Sequence, residues 1–162
     1  MLHDLLMAFP PALWNVRQWA SPHFDPRISP RFFDPAFGPA AHNVVEISLA
    51  FDPSSSANLS WAIIARARDR RTLTVDDVLR AISTALFQRN MCAHLPAHHP
   101  SLARAEAARA LRGPTGTPEV LYRERVRNVD LYGSYPGQGL YFRGLRPERQ
   151  RDGELVYVVQ LA

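Results

Sequence analysis

Lysine is absent from this sequence, and cysteine occurs only once. The 19 basic residues are therefore all arginines, and with 15 acidic residues the formal net charge is +4. The single thiol, Cys92, cannot form an internal disulfide, which favours a reducing compartment. Because alanine, arginine, proline and glycine are abundant together, the missing lysine indicates coding bias rather than selection for bidentate arginine contacts.

The chain also lacks an apolar run near the ~20 residues that a membrane-spanning helix needs. Its start, MLHDLLMAFPPALW, carries Asp4 and has no basic segment before the apolar residues, which is unlike a signal peptide. We therefore expect an intracellular protein, cytoplasmic or nuclear, with no membrane partner. A chain of 162 residues that is 46% hydrophobic is long enough for one domain, 1–162, without a stabilising metal or disulfide.

Residues 1–42 form a segment that is rich in proline and aromatic side chains. Seven prolines fall between residues 9 and 40, interleaved with Trp14, Trp19, Phe24, Phe32, Phe33 and Phe37. Proline interrupts helices and central strands, but the rings make the segment too hydrophobic for a disordered linker. We expect an arm that wraps the body of the domain, residues 43–162, with LWNVR (13–17) as its one short strand.

Alternating apolar residues predict an antiparallel hairpin after the arm. NVVEISLAF places Val45 and Ile47 on one face, and WAIIARAR places Ile63 and Ala65 on one face, on either side of a turn-rich loop. In the second strand Ile64, Arg66 and Arg68 share the opposite, exposed face.

Residues 73–90, LTVDDVLRAISTALFQRN, carry the signals of a helix. Thr74 and Asp77 predict a capping box with Asp in place of Glu, and Leu73 can pack on Val78 as a hydrophobic staple. The apolar stripe at helical spacing consists of Val75, Val78, Leu79, Ile82 and Leu86. A second, alanine-rich helix is predicted over 101–112, with Ser101 as its cap and Gly113 after its end.

The last 40 residues predict strands again. VRNVDLYGSY and LYFRGL flank the turn PGQG as a second hairpin, RPERQRDG is a polar loop, and ELVYVVQLA has two apolar faces that suit a central strand. The fold class is therefore α+β: an antiparallel sheet of about five or six strands, with two helices mainly on one face and the proline-aromatic arm packed along it.

Four stretches of the chain resemble, in order, an uncharacterised domain family found mostly in fungal proteins. They are PALWNVR, DPAFGPAAHNVVEISL, LSWAIIARARDRRTLTVDDVLRAI and YRERVRNVDLYGSYPGQGLYFRGL, so the resemblance covers nearly the whole sequence. Asn15 stands where that family usually has Asp, Phe37 where it has Thr, and Ser60 where it has Pro. The resemblance implies one domain and transfers no activity and no catalytic residue. Asn15 cannot accept a proton, whereas a structural role in accepting hydrogen bonds would survive the change from Asp.

An arginine cluster is the first candidate site. Arg66, Arg68, Arg70 and Arg71 precede the helix start and could bind a phosphate or an acidic partner segment. The alternative is a solvated hairpin end that Asp69, Asp76 and Asp77 neutralise. Two further sets of arginines also have acidic neighbours: Arg123, Arg125 and Arg127, and Arg143, Arg146, Arg149 and Arg151. No motif of the known nucleic-acid readers occurs, so nucleic-acid or phospholigand binding is an alternative rather than the main interpretation.

Catalytic and metal-binding motifs are scarce. Cys92, His94, His98 and His99 could ligate zinc, but ordinary zinc sites have two separated ligand pairs, so we expect no cofactor and keep a metal-dependent or thiol enzyme only as an alternative. The sequence has no G-x-S-x-G, P-loop or H-E-x-x-H motif.

The remaining interpretation is a non-enzymatic module that binds a protein partner. Its contact surface would combine the arginine cluster with an edge strand or an aromatic groove in which Trp19 or Phe33 stays accessible. Most of the other rings are expected to cover one face of the sheet, because exposing them all would promote aggregation.

Overall fold

The structure, a computed structural model, describes residues 1–10, 13–16, 27–38, 42–51, 59–69, 71–87, 107, 140–150 and 152–161, with the backbone alone for 49–51 and 59–61. These residues form helices α1 (Asp4–Met7) and α2 (Val75–Phe87) and a 3-10 turn over Ser29–Phe33. The strands are β1 (Val44–Phe51), β2 (Leu59–Arg66), β3 (Phe142–Arg149) and β4 (Leu155–Leu161). Neither described helix is long and apolar enough to cross a membrane.

The predicted first hairpin is confirmed. Strands β1 and β2 pair antiparallel, with Val45 opposite Ala65 and Ile47 opposite Ile63. Ile63 and Ala65 are buried while Ala62, Ile64 and Arg66 are exposed, as the period of two predicts. One face of β2 therefore belongs to the core and the other faces solvent.

The sheet is mixed, and the prediction of a purely antiparallel sheet is wrong. Its strand order is β2-β1-β4-β3, and β1 runs parallel to β4 through the pairs Ile47–Tyr157 and Ser48–Val158. Alternation along a strand records which side chains are buried but not the direction of the neighbouring strand, so the pattern could not reveal this pairing. The central position predicted for β4 is confirmed, and valines are buried on both of its faces.

The strand count also differs from the five or six expected. Four strands occur in the described residues, and residues 13–16 of the predicted short strand contribute the isolated bridge Asn15–Tyr141. The strand predicted at 126–135 lies outside the described residues, as does the predicted helix at 101–112 apart from Ala107. Strand β3 continues through RPER, which the sequence suggested was loop; Pro147 is compatible with it because β3 lies at the edge of the four-stranded sheet.

Helix α2 begins as predicted. Thr74 Oγ1 accepts a hydrogen bond from the Asp77 N–H at 3.2 Å, and Asp77 Oδ2 accepts one from the Thr74 N–H at 3.1 Å. Leu73 and Val78 are both buried, in agreement with the hydrophobic staple. The buried stripe of α2 also matches the prediction: Val75, Val78, Leu79, Ile82 and Leu86.

The N-terminal arm packs into the same core as the sheet and α2. It contributes Leu2, Leu5, Leu6, Phe9, Trp14, Val16, Ala36 and Phe37 to the buried apolar cluster. Two backbone bonds tie the arm to the start of α2, from the Ala36 N–H to the Leu73 carbonyl at 2.8 Å and from the Val75 N–H to the Asp34 carbonyl at 3.0 Å. The arm therefore positions the beginning of α2 as well as covering the core.

Helix α1 approaches β3 so closely that the strand needs a glycine. Gly144 has φ +126°, and a Cβ built there would lie 2.6 Å from the Leu6 carbonyl oxygen and 2.8 Å from that of Met7. The sequence did not predict helix α1, because four residues are too few to show helical periodicity.

Candidate functional site

A groove of about 380 Å³ opens between strand β2 and helix α2. The side of β2 supplies Ala62, Ile64 and Arg66, and α2 supplies Arg80, Ala81 and Thr84. Within the described residues β2 pairs with β1 alone and is the outermost strand of the sheet. The groove therefore runs along a sheet edge that has a helix as its second wall.

The helical wall follows from the spacing of α2. Asp77, Ala81 and Ala85 are four residues apart, and Arg80 and Thr84 lie beside them, so one row of the helix surface faces the groove. The alanines keep this row low, whereas Arg80 and Thr84 are exposed polar residues. The resulting surface has a small apolar floor with polar side chains around it.

Arg68 closes one end of the groove through two carboxylates. Its Nε donates to Asp77 Oδ1 at 2.8 Å and its Nη2 donates to Asp76 Oδ2 at 2.6 Å. Asp76 also accepts from Nε of Arg80 at 2.8 Å, four residues further along α2. Both arginines thus form ion pairs within the protein. For Arg68 this agrees with the alternative of a hairpin end that acidic residues neutralise.

Asp77 is the central acid of this network. Burial raises the pKa of its carboxyl, but hydrogen bonds from the Thr74 N–H, the Thr74 hydroxyl and Arg68, with the Arg68 charge, outweigh burial and hold the pKa below its usual value. The bond to Asp77 raises the pKa of the Arg68 guanidinium in turn, so both groups are charged at neutral pH.

Arg66 differs from Arg68, because the described part of the chain contains no ion-pair partner for it. Its side chain is exposed and lies on the same face of β2 as Ile64, which is 43% exposed. Arg71 is exposed as well, and its N–H donates to Asp69 Oδ1 at 2.9 Å within the turn. All three described arginines of the predicted cluster are exposed; Arg68 is ion-paired, Arg66 and Arg71 have no ion pair within the described residues, and Arg70 lies outside them.

Of the two predicted aromatic contacts, only Phe33 falls within the described residues. Phe33 is 71% exposed at the end of the 3-10 turn and does not line the groove. Its neighbour Phe32 turns inward and stacks on Phe9 with ring centroids 6.4 Å apart. Trp19 lies outside the described residues.

The predicted metal or thiol site, Cys92, His94, His98 and His99, also lies outside the described residues. Among the residues that are described, no three His, Cys, Asp or Glu side chains come together as metal ligands. Of the other arginine sets, Arg123, Arg125, Arg127 and Arg151 are likewise outside, whereas Arg146 forms an ion pair with Glu148.

A second polar cluster joins α1 to the 3-10 turn. Arg31 donates to Asp4, and Nε2 of His3 lies 3.3 Å from Asp34 Oδ2. The hydrogen bond from Arg31 lowers the pKa of the exposed Asp4 carboxyl. Because His3 and Asp4 both bond the Leu5 N–H at the start of α1, this cluster is explained as an anchor of the arm.

Sequence reasoning missed the helical half of the groove. Arg80, Ala81 and Thr84 fall on the surface of α2 that the apolar stripe leaves out, and nothing in their order distinguishes a groove wall from an ordinary solvated face. The one available signal was Ile64, an apolar residue that alternation assigns to the exposed face beside Arg66.

Comparison with known proteins identifies the family but no characterised relative. No curated protein and no solved structure matches the chain. Residues 7–153 match a family of unknown function, DUF6699. Because this match extends over most of the 162 residues, including most of the arm, strands β1, β2 and β3 and helix α2, the chain belongs to that family.

Proposed function

We propose that this chain is a non-enzymatic protein-interaction module whose contact surface is the groove between β2 and α2. The observation that carries the proposal is the coincidence, within the described residues, of an outer strand, an exposed Ile64 and an Arg66 without an ion pair along one side of the groove. Interfaces combine apolar contact area with arginine at their centre more often than the rest of a protein surface does.

The proposed module is the whole chain, 1–162. The arm and the body share one buried apolar cluster, and the arm holds the start of α2 through backbone bonds at Leu73 and Val75. Removing residues 1–42 would therefore expose core residues and displace one wall of the groove. The full chain is the correct reagent for every binding experiment.

The arginines of the hairpin end support a protein partner better than a phosphate backbone. A nucleic-acid surface needs several free cations along one track. Here Arg68 and Arg80 share the carboxylates of Asp76 and Asp77, and Arg66 is the groove arginine for which the described part of the chain offers no ion pair. Titration of the full chain into labelled single- and double-stranded RNA and DNA at about 50 and 200 mM salt tests the alternative, because phosphate contacts weaken steeply over that range.

The test of the proposed function compares three variants with the parent. Candidate partners are captured with the full chain, purified and titrated individually. Arg66→Glu reverses the charge on the β2 side of the groove, and Thr84→Trp fills the groove from an exposed position on α2. Arg143→Glu is the matched control, since Arg143 is an exposed arginine on β3, at the opposite edge of the sheet.

We expect both groove variants to lower the affinity for a partner by at least about tenfold, which corresponds to about 1.4 kcal/mol in binding free energy. The control should bind like the parent. Thermal unfolding of all four proteins checks that the variants are folded. Equal affinities for all four would contradict the groove as the contact surface. If the captured partner is instead a nucleic acid whose binding is lost at high salt, the alternative function, nucleic-acid binding, is favoured over the proposal.

A further inference from the structure

The hydrogen-bond pattern of the hairpin shows which backbone groups of β2 point away from the sheet. The Ala67 N–H donates to the Asn43 carbonyl at 2.9 Å, directly opposite in the β1–β2 register. In an antiparallel ladder such bonded pairs alternate with pairs that make no bond to each other. The bonds to β1 therefore come from Ala67, Ala65 and Ile63.

The intervening residues of β2 direct their N–H and C=O groups to the opposite side. These are Ala62, Ile64 and Arg66, which are also the residues that line the groove. Within the described residues no strand pairs with this side of β2. A row of backbone donors and acceptors is thus aligned along the open side of the groove, with α2 beside it.

The side chains of the same residues define what can lie there. Ile64 and Arg66 project from one face two residues apart, the first 43% exposed and apolar, the second exposed and without an ion pair in the described part of the chain. A neighbouring strand places its side chains directly opposite, on the same face. A strand that complements Ile64 and Arg66 therefore carries an apolar residue opposite Ile64 and, two positions away, an acidic residue opposite Arg66.

We propose that an extended acidic peptide segment of a partner protein adds to the outer edge of β2 as a strand. Its backbone bonds Ala62, Ile64 and Arg66, its carboxylate lies against the Arg66 guanidinium, and an apolar residue two positions away covers Ile64. The surface of α2 at Ala81 and Thr84 forms the second wall. This inference rests on the proposed function, since it specifies the partner of the same groove.

Charge and backbone geometry favour this occupant over other macromolecules. Strand addition satisfies the aligned N–H and C=O groups, which a nucleic acid or a partner helix cannot do. A basic segment would meet Arg66 with Arg80 nearby, whereas an acidic one gains an ion pair. The carboxylates of Asp76 and Asp77 are already bonded by Arg68 and Arg80 and so compete little for the same cation.

The experiment begins with a display library of random ten-residue peptides selected on the immobilised full chain. We expect recovered sequences to carry Asp or Glu two positions from Val, Ile, Leu or Phe. The tightest peptide is then synthesised with each backbone nitrogen methylated in turn, which removes one donor at a time without altering the protein. Binding should be lost by at least about tenfold at alternate residues only, because a strand bonds its neighbour with every second residue.

Two protein variants test the same geometry from the other side. Arg66→Glu should lose at least about tenfold in affinity and should regain it for a peptide whose acidic residue is replaced by lysine. Ile64→Pro removes an N–H that points to the groove and leaves the bonds to β1 in place, as proline on an edge strand does. Arg143→Glu is again the control and should bind like the parent.

The outcomes separate this inference from the proposed function. Selection of no peptide above background, or affinity that tolerates methylation at every position, overturns strand addition. If such a methylation-insensitive peptide loses affinity for the Thr84→Trp variant, the groove remains an interaction surface and only the strand geometry is wrong. If binding survives Thr84→Trp and Arg66→Glu as well, the proposed function fails with it. The methylation series decides the matter even where Ile64→Pro does not fold.

Discussion

Arg68 donates a hydrogen bond from Nε to Oδ1 of Asp77 at 2.8 Å, and thereby ties the end of β2 to the first turn of α2. The other oxygen of the same carboxylate accepts the Thr74 hydroxyl at 2.8 Å and the Thr74 N–H at 3.1 Å. One buried carboxylate therefore caps a helix and neutralises an arginine. Among the described residues this pairing engages Arg68 and leaves Arg66 as the groove arginine without an ion pair.

Asp77 makes the stability of the protein depend on acid pH. Its pKa in the folded protein lies below the usual 3.8, so its contribution is complete well above that unfolded value and is lost as the pH falls through the folded value. We expect Asp77→Asn to be less stable than the parent at pH 7, and the difference in unfolding free energy to shrink at pH 3. Urea unfolding at both pH values measures it; the exposed Glu46→Gln serves as the control. A difference that stays constant from pH 7 to pH 3 would contradict the assignment.

Thr74 provides the reciprocal half of the capping box. Replacing Thr74 by Ala removes the acceptor of the Asp77 N–H and should cost about 1 kcal/mol in the free energy of unfolding. The matched control is Thr84→Ala on the exposed surface of the same helix, for which we expect a change within about 0.5 kcal/mol. Chemical unfolding at neutral pH compares the two. Equal losses would show that Thr74 is an ordinary helix residue rather than a cap.

Substitutions at Gly144 and Gly153 distinguish the cost of backbone strain from the cost of a steric clash. Both have positive φ, +126° and +87°, but only at Gly144 would an added Cβ meet backbone oxygens, at 2.6 and 2.8 Å. Gly153→Ala should cost about 1–2 kcal/mol from conformation alone. We expect Gly144→Ala to cost clearly more, because α1 must move away from β3. Thermal unfolding of the two variants would refute the close contact if their losses were the same.

Asn15 tests whether a buried polar side chain in the arm has a structural role. It is 4% exposed, and its Oδ1 accepts a hydrogen bond from the Leu140 N–H at 3.4 Å. Asn15→Leu should destabilise by about 1–3 kcal/mol, because it leaves a buried donor without an acceptor. Asn15→Asp keeps an acceptor oxygen and should lose less. The reverse order in chemical unfolding would exclude the acceptor role.

Sequence reasoning predicted the features that depend on neighbouring residues. The β1–β2 hairpin and the Thr74–Asp77 cap join segments close in the chain, so periodicity and capping residues are sufficient to find them. The exposure of Arg66 beside a buried Ala65 follows from the same alternation. The proposed strand-binding edge was predicted only in outline, as an edge strand near arginines.

Tertiary structure decided the features that depend on distant residues. The parallel pairing of β1 with β4 joins Ile47 to Tyr157. The close approach of α1 to β3 brings Leu6 and Met7 against Gly144. It also selected which arginine is free, since only the folded geometry brings Arg68 to Asp77 and leaves Arg66 unpaired among the described residues. Local pattern determines burial and caps, because these depend on spacing along one element. Strand direction, close approach and ion pairing depend on where separate elements meet, and no spacing along the chain records that.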